Sequence, residues 1–217
     1  MTVEIAVVDY GAGNLVSIEG ALTRAGARVV IARDPDPLDT ADAVVVPGVG
    51  AAGPAMERLV RRGLVDPLRA WIAADRPYLG ICLGLQLLFE RSDEDGAATL
   101  GILAGRTVQL ADAPTLPHIG WNQVEAVTAH PLFDGIPDGS DQYFVHSYAG
   151  EPVDDDIVLA RTSHGRPFVS AVARGALLGV QFHPETSGSD GLRLLQNFVG
   201  IVRDVASDRA GAAPSEP

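Results

Sequence analysis

The sequence has one cysteine, Cys82, among its 217 residues. A single cysteine cannot form a disulfide within the chain, which excludes the small disulfide-stapled folds and fits a reducing compartment. Long apolar runs are also missing, since none approaches the roughly 20 residues that a membrane span needs. The first residues have neither the basic nor the apolar region of a secretory signal. We therefore expect a cytoplasmic protein that does not cross a membrane.

Basic residues are scarce: 16 of them stand against 28 acidic residues, and the formal net charge is −12. Nucleic acids and anionic membranes are themselves negative, so we expect neither as a partner. Acidic charge of this size commonly serves solubility. The acidic runs at residues 92–96 and 153–157 are accordingly predicted to be solvated loops.

Apolar and helical segments alternate over the first hundred residues, which predicts a parallel sheet covered by helices on both faces. The predicted helices span residues 14–25, 54–62, 64–74 and, near the end, 189–203. After about Gly101, closely spaced short strands follow. We predict an α/β fold with a mostly parallel central sheet flanked by helices and additional mixed or antiparallel strands in the second half. Residues 1–205 are predicted to form one domain and residues 206–217 a flexible tail.

A glycine-containing segment, YGAGN, follows the first predicted strand. The dinucleotide-binding fingerprint GxGxxG would need a third glycine at position 16, which is Val16. A tight turn between strand and helix is therefore the favoured interpretation.

Cys82 lies at a predicted junction between the strand YLGI and a segment of helical composition. Gly80 and Gly84 stand two positions before and after it, as in the strand-turn-helix elbow that exposes a catalytic nucleophile. The N-terminus of the following helix would favour the thiolate. The elbow alone leaves a catalytic, a redox and a structural cysteine open.

A nucleophilic thiol usually needs a base, and His183 is the strongest candidate. It follows a buried-type run, and Glu185 stands two residues on, after Pro184. Because proline favours an extended predecessor, His183 and Glu185 can share one face, where the carboxylate would orient the imidazole. The remaining histidines lie in predicted exposed loops (His130, His164) or beside aromatic residues, in core or site (His118, His146).

Acyl transfer also needs backbone N–H groups aimed at the developing oxyanion. In an elbow, the residue after the nucleophile, Leu83, supplies one. The glycine-rich turn at residues 47–50 follows a parallel strand and could supply the other, at the edge where such sheets bind ligands. Taken alone, that turn is a weak signal.

In this order, the motifs resemble those of the class I glutamine amidotransferases, with GICLGLQLL as the nucleophile segment and GVQFHPE as the His/Glu segment. The segments VDYGAGNLVSI, PGVGA, LPHIGWN, YFVHSY and HPETSG resemble, within that family, the glutaminase subunits of histidine biosynthesis. The resemblance runs from Val8 to the terminal helix.

The resemblance implies that Cys82 attacks the carboxamide of L-glutamine, that His183 acts as base and then acid, and that Glu185 orients His183. It implies no metal and no cofactor. A peptide flip at Val49 is implied to complete the oxyanion site, and Gly48 would make that flip sterically easy. The implied oxyanion and substrate-binding residues are Gly48, Val49, Gly50, Leu83, Gln86, His146, Ser147 and Tyr148.

The resemblance also implies a partner, a cyclase subunit with a (β/α)8 barrel that forms a heterodimer with the glutaminase and receives its ammonia. The implied partner-facing residues are Asn14, His118, Trp121 and Asn122. Thr186 departs from the family, which commonly has lysine there, so a subunit contact at this position is in doubt. Amidotransferases of anthranilate, GMP or pyridoxal phosphate synthesis, a non-hydrolytic redox or chaperone-like protein, and a peptidase with the same triad stay open as alternatives.

Overall fold

A computed structural model describes residues 2–211 of the chain. It has six α-helices in the described part, and their bounds in chain order are α1 (Leu15–Arg24), α2 (Asp36–Thr40), α3 (Ala52–Arg61), α4 (Val65–Ala73), α5 (Leu83–Gln86) and α6 (Gly188–Gly211). None of these helices has the length and apolarity that a membrane crossing requires.

The strands of the described part form two sheets. Their bounds are β1 (Glu4–Val8), β2 (Arg28–Ala32), β3 (Ala43–Val46), β4 (Tyr78–Ile81), β5 (Arg91–Ser92), β6 (Gly105–Gln109), β7 (His118–Ala126), β8 (Ser140–His146), β9 (Tyr148–Pro152), β10 (Val158–His164), β11 (Arg166–Arg174) and β12 (Leu177–Val180). The large sheet has the order β2-β1-β3-β4-β12-β11-β10-β7-β8, and β5-β6-β9 form the small one.

The large sheet is parallel in its first half and antiparallel in its second. Strands β2, β1, β3, β4 and β12 run parallel, while β11, β10, β7 and β8 pair antiparallel. The predicted α/β class with appended antiparallel strands is confirmed. The change of direction follows from the connections, because short hairpins can join only antiparallel strands.

Two apolar clusters cover the two faces of the parallel half. Helices α1 and α6 pack side chains such as Leu22 and Phe198 on one face. Helices α3, α4 and α5 pack Leu59, Trp71 and Leu85 on the other. Strands β3 and β4 are buried along their whole length because both faces are covered, and their sequences are accordingly continuous apolar runs.

The four helices with predicted limits begin and end near them, except that the last, α6, ends later than predicted. The side chain of Asn14 caps α1 by accepting from the N–H of Ser17 at 3.3 Å. Helix α6 continues beyond the predicted residue 203 to Gly211. The predicted tail therefore begins as helix, and its residues 212–217 lie outside the described residues.

Candidate active site

Three neighbouring parallel strands end at one edge of the large sheet. Beyond β3 lies the turn at residues 47–50, beyond β4 lies Cys82, and shortly after β12 comes His183. Carboxyl ends of adjacent parallel strands form the usual ligand crevice of such sheets. Segments more than a hundred residues apart in sequence thus converge because β4 lies between β3 and β12.

The predicted elbow at Cys82 is confirmed by its backbone. Cys82 has φ 53° and ψ −107°, a strained conformation for a residue with a side chain. A Cβ atom on Gly84 would collide with the carbonyl of Val46, and one on Gly80 would lie 2.5 Å from the carbonyl oxygen of Gly84. Only glycine fits at both positions, and the thiol between them is 4% exposed.

The helix after the elbow is shorter than the sequence indicates. Helix α5 spans only Leu83–Gln86, and the chain then turns so that Leu87 and Leu88 enter the core. Four residues align few peptide dipoles, so the helix offers the thiolate less support than its composition predicts.

His183 and Glu185 form a buried pair. The Nδ1 of His183 lies 2.9 Å from Oε1 of Glu185, and the two side chains are 9% and 5% exposed. Burial lowers the pKa of His183, but the Cys82 thiol and the Glu185 carboxylate outweigh burial and raise it to about 10. The two side chains meet as predicted, but across a 3₁₀ turn over Pro184–Thr186 and not along the extended segment that the sequence suggested, and Glu185 fixes the ring through Nδ1.

The other ring nitrogen, Nε2 of His183, is turned toward the thiol side of the site. It is buried and meets no partner with hydrogen-bond geometry among residues 2–211. The Cys82 group nonetheless lies near enough to raise the pKa of His183. Such a loose approach is common in a catalytic pair before substrate binds.

A serine that the sequence does not single out anchors the HPE turn. Ser187, 2% exposed, donates from Oγ to the carbonyl of His183 at 2.6 Å and accepts the N–H of Tyr143 at 2.9 Å. Thr186 donates from its hydroxyl to the same carbonyl at 3.1 Å. The residue at the position of the usual lysine therefore contributes to local turn geometry.

The amide predicted to stabilise an oxyanion is engaged. The N–H of Leu83 donates to the carbonyl of Gly48 at 3.3 Å, so that carbonyl points into the oxyanion position. The exposed Val49 follows, and Gly50 has φ +94°. Gly48 has a further constraint beyond backbone freedom, because a Cβ there would collide with the hydroxyl of Tyr10.

A cavity of about 180 Å³ opens beside the thiol. It is small compared with the ~300–1,000 Å³ of drug-sized pockets and suits a single small polar molecule. All the predicted oxyanion and substrate-binding residues except Gly48 line it. The further lining residues are Ala51, Cys82, Glu94, Pro117 and Val145.

Glu94 lies in an exposed turn, as predicted for its acidic run, and it also lines the cavity. Burial, with a smaller contribution from Asp95, raises its pKa. Sequence analysis did not single out Glu94 because it stands among other acidic residues of the same run.

Comparison with known proteins agrees with this geometry. The family model described as glutamine amidotransferase class-I matches residues 6–201. The imidazole glycerol phosphate synthase subunit HisH of Symbiobacterium thermophilum is 48% identical over 206 residues, covering 94% of this chain and 97% of the relative. The HisH subunit of Dehalococcoides mccartyi strain CBDB1 is 46% identical, with 89% and 95% covered. The chain belongs to the class I glutamine amidotransferases and, within them, to the HisH family.

Solved structures share the fold at low identity. PurLQS from Thermotoga maritima superposes with a TM-score of 0.75 at 19% identity, covering 93% of this chain and 100% of that one. A putative GMP synthase protein from Thermoplasma acidophilum gives 0.72 at 22%, covering 97% and 98%. At these identities the likeness concerns the fold alone.

In this HisH family member, two buried glutamines connect the cavity to the thiol. The Nε2 of Gln86 donates to the carbonyl of Tyr148 at 2.8 Å and to Oε1 of Gln181 at 3.1 Å. The Nε2 of Gln181 lies 3.5 Å from Sγ of Cys82. Gln181 is fully buried, and sequence analysis missed it because only His183 and Glu185 of the GVQFHPE segment are residue types that indicate acid–base chemistry.

A chain of hydrogen bonds leads from the surface to the same carbonyl. The Nδ1 of His146 lies 2.8 Å from the Tyr148 oxygen, and its Nε2 lies 3.1 Å from Nδ1 of His118. Nε2 of His118 in turn lies 3.1 Å from Nδ2 of Asn122. Burial lowers the pKa of His118 to about 4 and that of His146 to about 3, so both rings are neutral near pH 7.

Neutral rings allow only one pattern of protons in this chain. The Tyr148 carbonyl can only accept, so His146 carries its proton on Nδ1 and accepts at Nε2. His118 must then donate from Nδ1 and accept from Asn122 at Nε2. His118 is thus a buried residue, 4% exposed, and not the surface contact that the sequence suggested.

The other predicted partner-facing residues lie at the surface. Trp121 is 56% exposed and shares the outer face of β7 with the 61% exposed Ile119. Val145, opposite Ile119 on β8, is also exposed and lines the cavity. Exposed apolar side chains grouped in this way are typical of interaction surfaces.

Proposed function

We propose that this chain hydrolyses L-glutamine to glutamate and ammonia, with Cys82 as nucleophile, His183 as general base and acid, and Glu185 as the residue that orients His183. The observation that carries the proposal is a strained, glycine-flanked thiol at the same sheet edge as a buried His–Glu pair. Membership of the class I amidotransferases supports the reaction class.

In the proposed reaction, the Cys82 thiolate attacks the side-chain carboxamide carbon of glutamine. The tetrahedral intermediate expels ammonia after His183 transfers a proton to the nitrogen, which leaves a γ-glutamyl thioester. Water then attacks the thioester while His183 accepts its proton. Glutamate leaves, and the proton returns to the sulfur. Glu185 stabilises the imidazolium formed in each half.

The cavity supplies complementary groups for the substrate. Both hydrogens on Nε2 of Gln86 are used within the protein, so this side chain offers glutamine its oxygen. That oxygen and the carboxylate of Glu94 suit the substrate's ammonium group. His146, Ser147 and Tyr148 form the opposite wall.

Oxyanion stabilisation needs a change at Gly48. While its carbonyl accepts the N–H of Leu83, that donor is not available to substrate. Rotation of the peptide between Gly48 and Val49 would release Leu83 and aim the N–H of Val49 at the same position, giving two donors. We propose this rotation as the step that activates the enzyme.

The proposed destination of the ammonia is the cyclase subunit of imidazole glycerol phosphate synthase, for imidazole glycerol phosphate and AICAR formation in histidine biosynthesis. Close relatives named as HisH subunits of that synthase support this. We propose a heterodimer with a (β/α)8-barrel cyclase seated on the exposed apolar face around Trp121. Trp121→Ala should weaken binding by about 2 kcal/mol or more, as for a central interface anchor. Val153→Ala, at a residue that is 79% exposed directly after β9, should leave binding unchanged.

A cytoplasmic location suits a single reactive thiol, which an oxidising compartment would inactivate. We also propose that residues 1–205 act as one amidotransferase domain. The relatives named above as HisH subunits favour the histidine pathway over the alternatives of another amidotransferase pathway, a redox or chaperone-like protein and a peptidase.

Glutamine hydrolysis by the chain with its cyclase subunit tests the proposal. Cys82→Ser should abolish glutamate release while the complex still forms, and retained release would contradict the role of Cys82. Adding the cyclase and its nucleotide ligand should raise turnover of the native chain by orders of magnitude. Full turnover in the isolated chain would contradict the proposed activation.

A further inference from the structure

We infer that Gln181 is a further catalytic residue, whose side-chain amide donates a hydrogen bond to the Cys82 sulfur and stabilises it as thiolate. The inference rests on the proposed nucleophilic role of Cys82. Its starting point is the 3.5 Å separation between Nε2 of Gln181 and Sγ of Cys82, both of them buried. The remaining question is whether nitrogen or oxygen of this amide faces the sulfur.

The hydrogen-bond network decides the orientation of both glutamine amides. The Tyr148 carbonyl can only accept, so Gln86 must turn its NH2 group toward it, at 2.8 Å. The same NH2 group faces Gln181 at 3.1 Å, so Gln181 must present its oxygen there. Its NH2 group is then left facing Cys82. The opposite orientation of either amide would set two acceptors or two donors against each other.

The backbone holds Gln181 in this position. The N–H of Cys82 donates to the carbonyl of Val180 at 2.8 Å, and the N–H of Gln181 donates to Ser170 at 2.9 Å. These bonds fix the end of β12 beside the end of β4. The side-chain amide of Gln181 is therefore already in place when Cys82 becomes a thiolate, and no side-chain entropy is lost at that step.

A donor at this place compensates for the short helix after the elbow. With four residues, α5 gives the thiolate limited support, and a hydrogen bond to the charged form of a group favours that form. Gln181 also connects the sulfur to Gln86, and Gln86 lines the substrate cavity. The amide of Gln181 thus contacts the sulfur of Cys82, while the side-chain oxygen of Gln86 faces the cavity.

Alkylation of Cys82 by iodoacetamide tests the inference without any need for glutamine hydrolysis. Cys82 is the chain's single cysteine, so every alkylated thiol reports this site. Gln181→Met keeps the side-chain length and removes the donor. We expect the midpoint of its rate–pH profile to rise by about one pH unit, with about tenfold slower alkylation near pH 7 and an unchanged limiting rate at high pH.

Gln142→Met is the matched control, because Gln142 is 1% exposed and its amide contacts Ser140 rather than the thiol. It should leave the alkylation profile unchanged. A native profile for Gln181→Met would overturn the inference. So would slower alkylation by the same factor at every pH, because that result reports access to the thiol and not its charge.

A second variant covers failure of Gln181→Met to fold, as judged by its thermal unfolding. Gln181→Glu preserves the shape and sets an oxygen against the sulfur, so its alkylation midpoint should rise further, and an unchanged midpoint would overturn the inference. In glutaminase assays of the complex, Gln181→Met should lower kcat with little change in KM. Should Cys82→Ser retain glutaminase activity, the proposed function fails, while the alkylation profiles still decide whether Gln181 stabilises the thiolate.

Discussion

The N–H of Leu83 donates to the carbonyl of Gly48 across 3.3 Å, and this bond joins the elbow of β4 to the turn that follows β3. It satisfies a buried donor, so breaking it costs free energy unless another acceptor arrives. A substrate oxyanion is such an acceptor. The bond therefore keeps the turn in its present position until substrate, partner or both offset that cost.

The first prediction concerns the contact between Gly48 and Tyr10. The hydroxyl of Tyr10 is buried, has no hydrogen-bond partner among the described residues, and lies where a Cβ on residue 48 would be. Gly48→Ala should destabilise the protein by about 1–3 kcal/mol through overpacking. In Gly48→Ala, adding Tyr10→Phe should restore part of that loss, because the colliding oxygen is removed.

Urea unfolding of the two single variants and the double variant measures this coupling. Additive losses in the double variant would contradict the contact. Gly50→Ala serves as a comparison, since no heavy atom lies within 4 Å of a Cβ there and its cost arises from φ +94° alone. Tyr10→Phe should not relieve that cost.

The second prediction uses the strain at Cys82. At ordinary positions glycine is less stable than alanine, by about 0.5–1 kcal/mol in a helix. At φ 53° the order should reverse, so that Cys82→Gly is more stable than Cys82→Ala by about 1–3 kcal/mol. Ala55→Gly within α3 is the comparison at an ordinary position, where glycine should be less stable than alanine. An unfolding free energy of Cys82→Gly below that of Cys82→Ala would show that the elbow is unstrained.

Much of this site follows from the sequence because its chemistry is local. The elbow needs small residues around Cys82, and the HPE segment sets an imidazole and a carboxylate on one face, so short motifs suffice. The alternation of apolar strands and helices likewise predicts the parallel half of the sheet. In these cases neighbouring residues impose the geometry on one another.

Other features depend on contacts between distant segments and could not be predicted. Glu94 enters the cavity only because β5 and its loop pack beside the elbow, and Gln181 meets Cys82 only because β12 pairs with β4. His118 precedes an exposed tryptophan by three residues, yet its side chain points inward. Burial of a polar side chain is set by sheet order, which the sequence pattern does not specify.

The third prediction concerns stability in mild acid. Unfolded histidine has a pKa of about 6.5, whereas burial lowers that of His146 to about 3. A lowered pKa means that the native state resists protonation, so His146 costs no stability above about pH 6.5 and causes a progressive loss as pH falls below that value. His118, with a pKa lowered to about 4, acts in the same sense.

His146→Asn should therefore reduce the loss of unfolding free energy between about pH 6.5 and pH 4, since asparagine does not titrate and can still donate to the Tyr148 carbonyl. Gln142→Asn is the control, because Gln142 is buried on the same strand, β8, and does not titrate. Equal slopes of stability against pH in His146→Asn and the native protein would contradict the prediction.

The fourth prediction concerns the opposite end of the pH range. Cys82 and Glu185 raise the pKa of His183 to about 10 against the opposing effect of burial, so folding favours the charged ring. The corresponding stability is present in full below about pH 6.5 and is lost as pH rises toward about 10. Glu185→Gln removes one of the two causes, so the stability of this variant should fall less over that interval.

The same variant should lower glutamine turnover in the complex by roughly 10²- to 10⁴-fold, because the imidazolium loses its orienting charge. Urea unfolding near pH 7 and near pH 10, together with glutamate release, separates the two effects. Glu57→Gln, at an exposed site on α3, should change neither. A variant with native turnover and a reduced alkaline loss would show that Glu185 tunes the charge of His183 without taking part in the reaction.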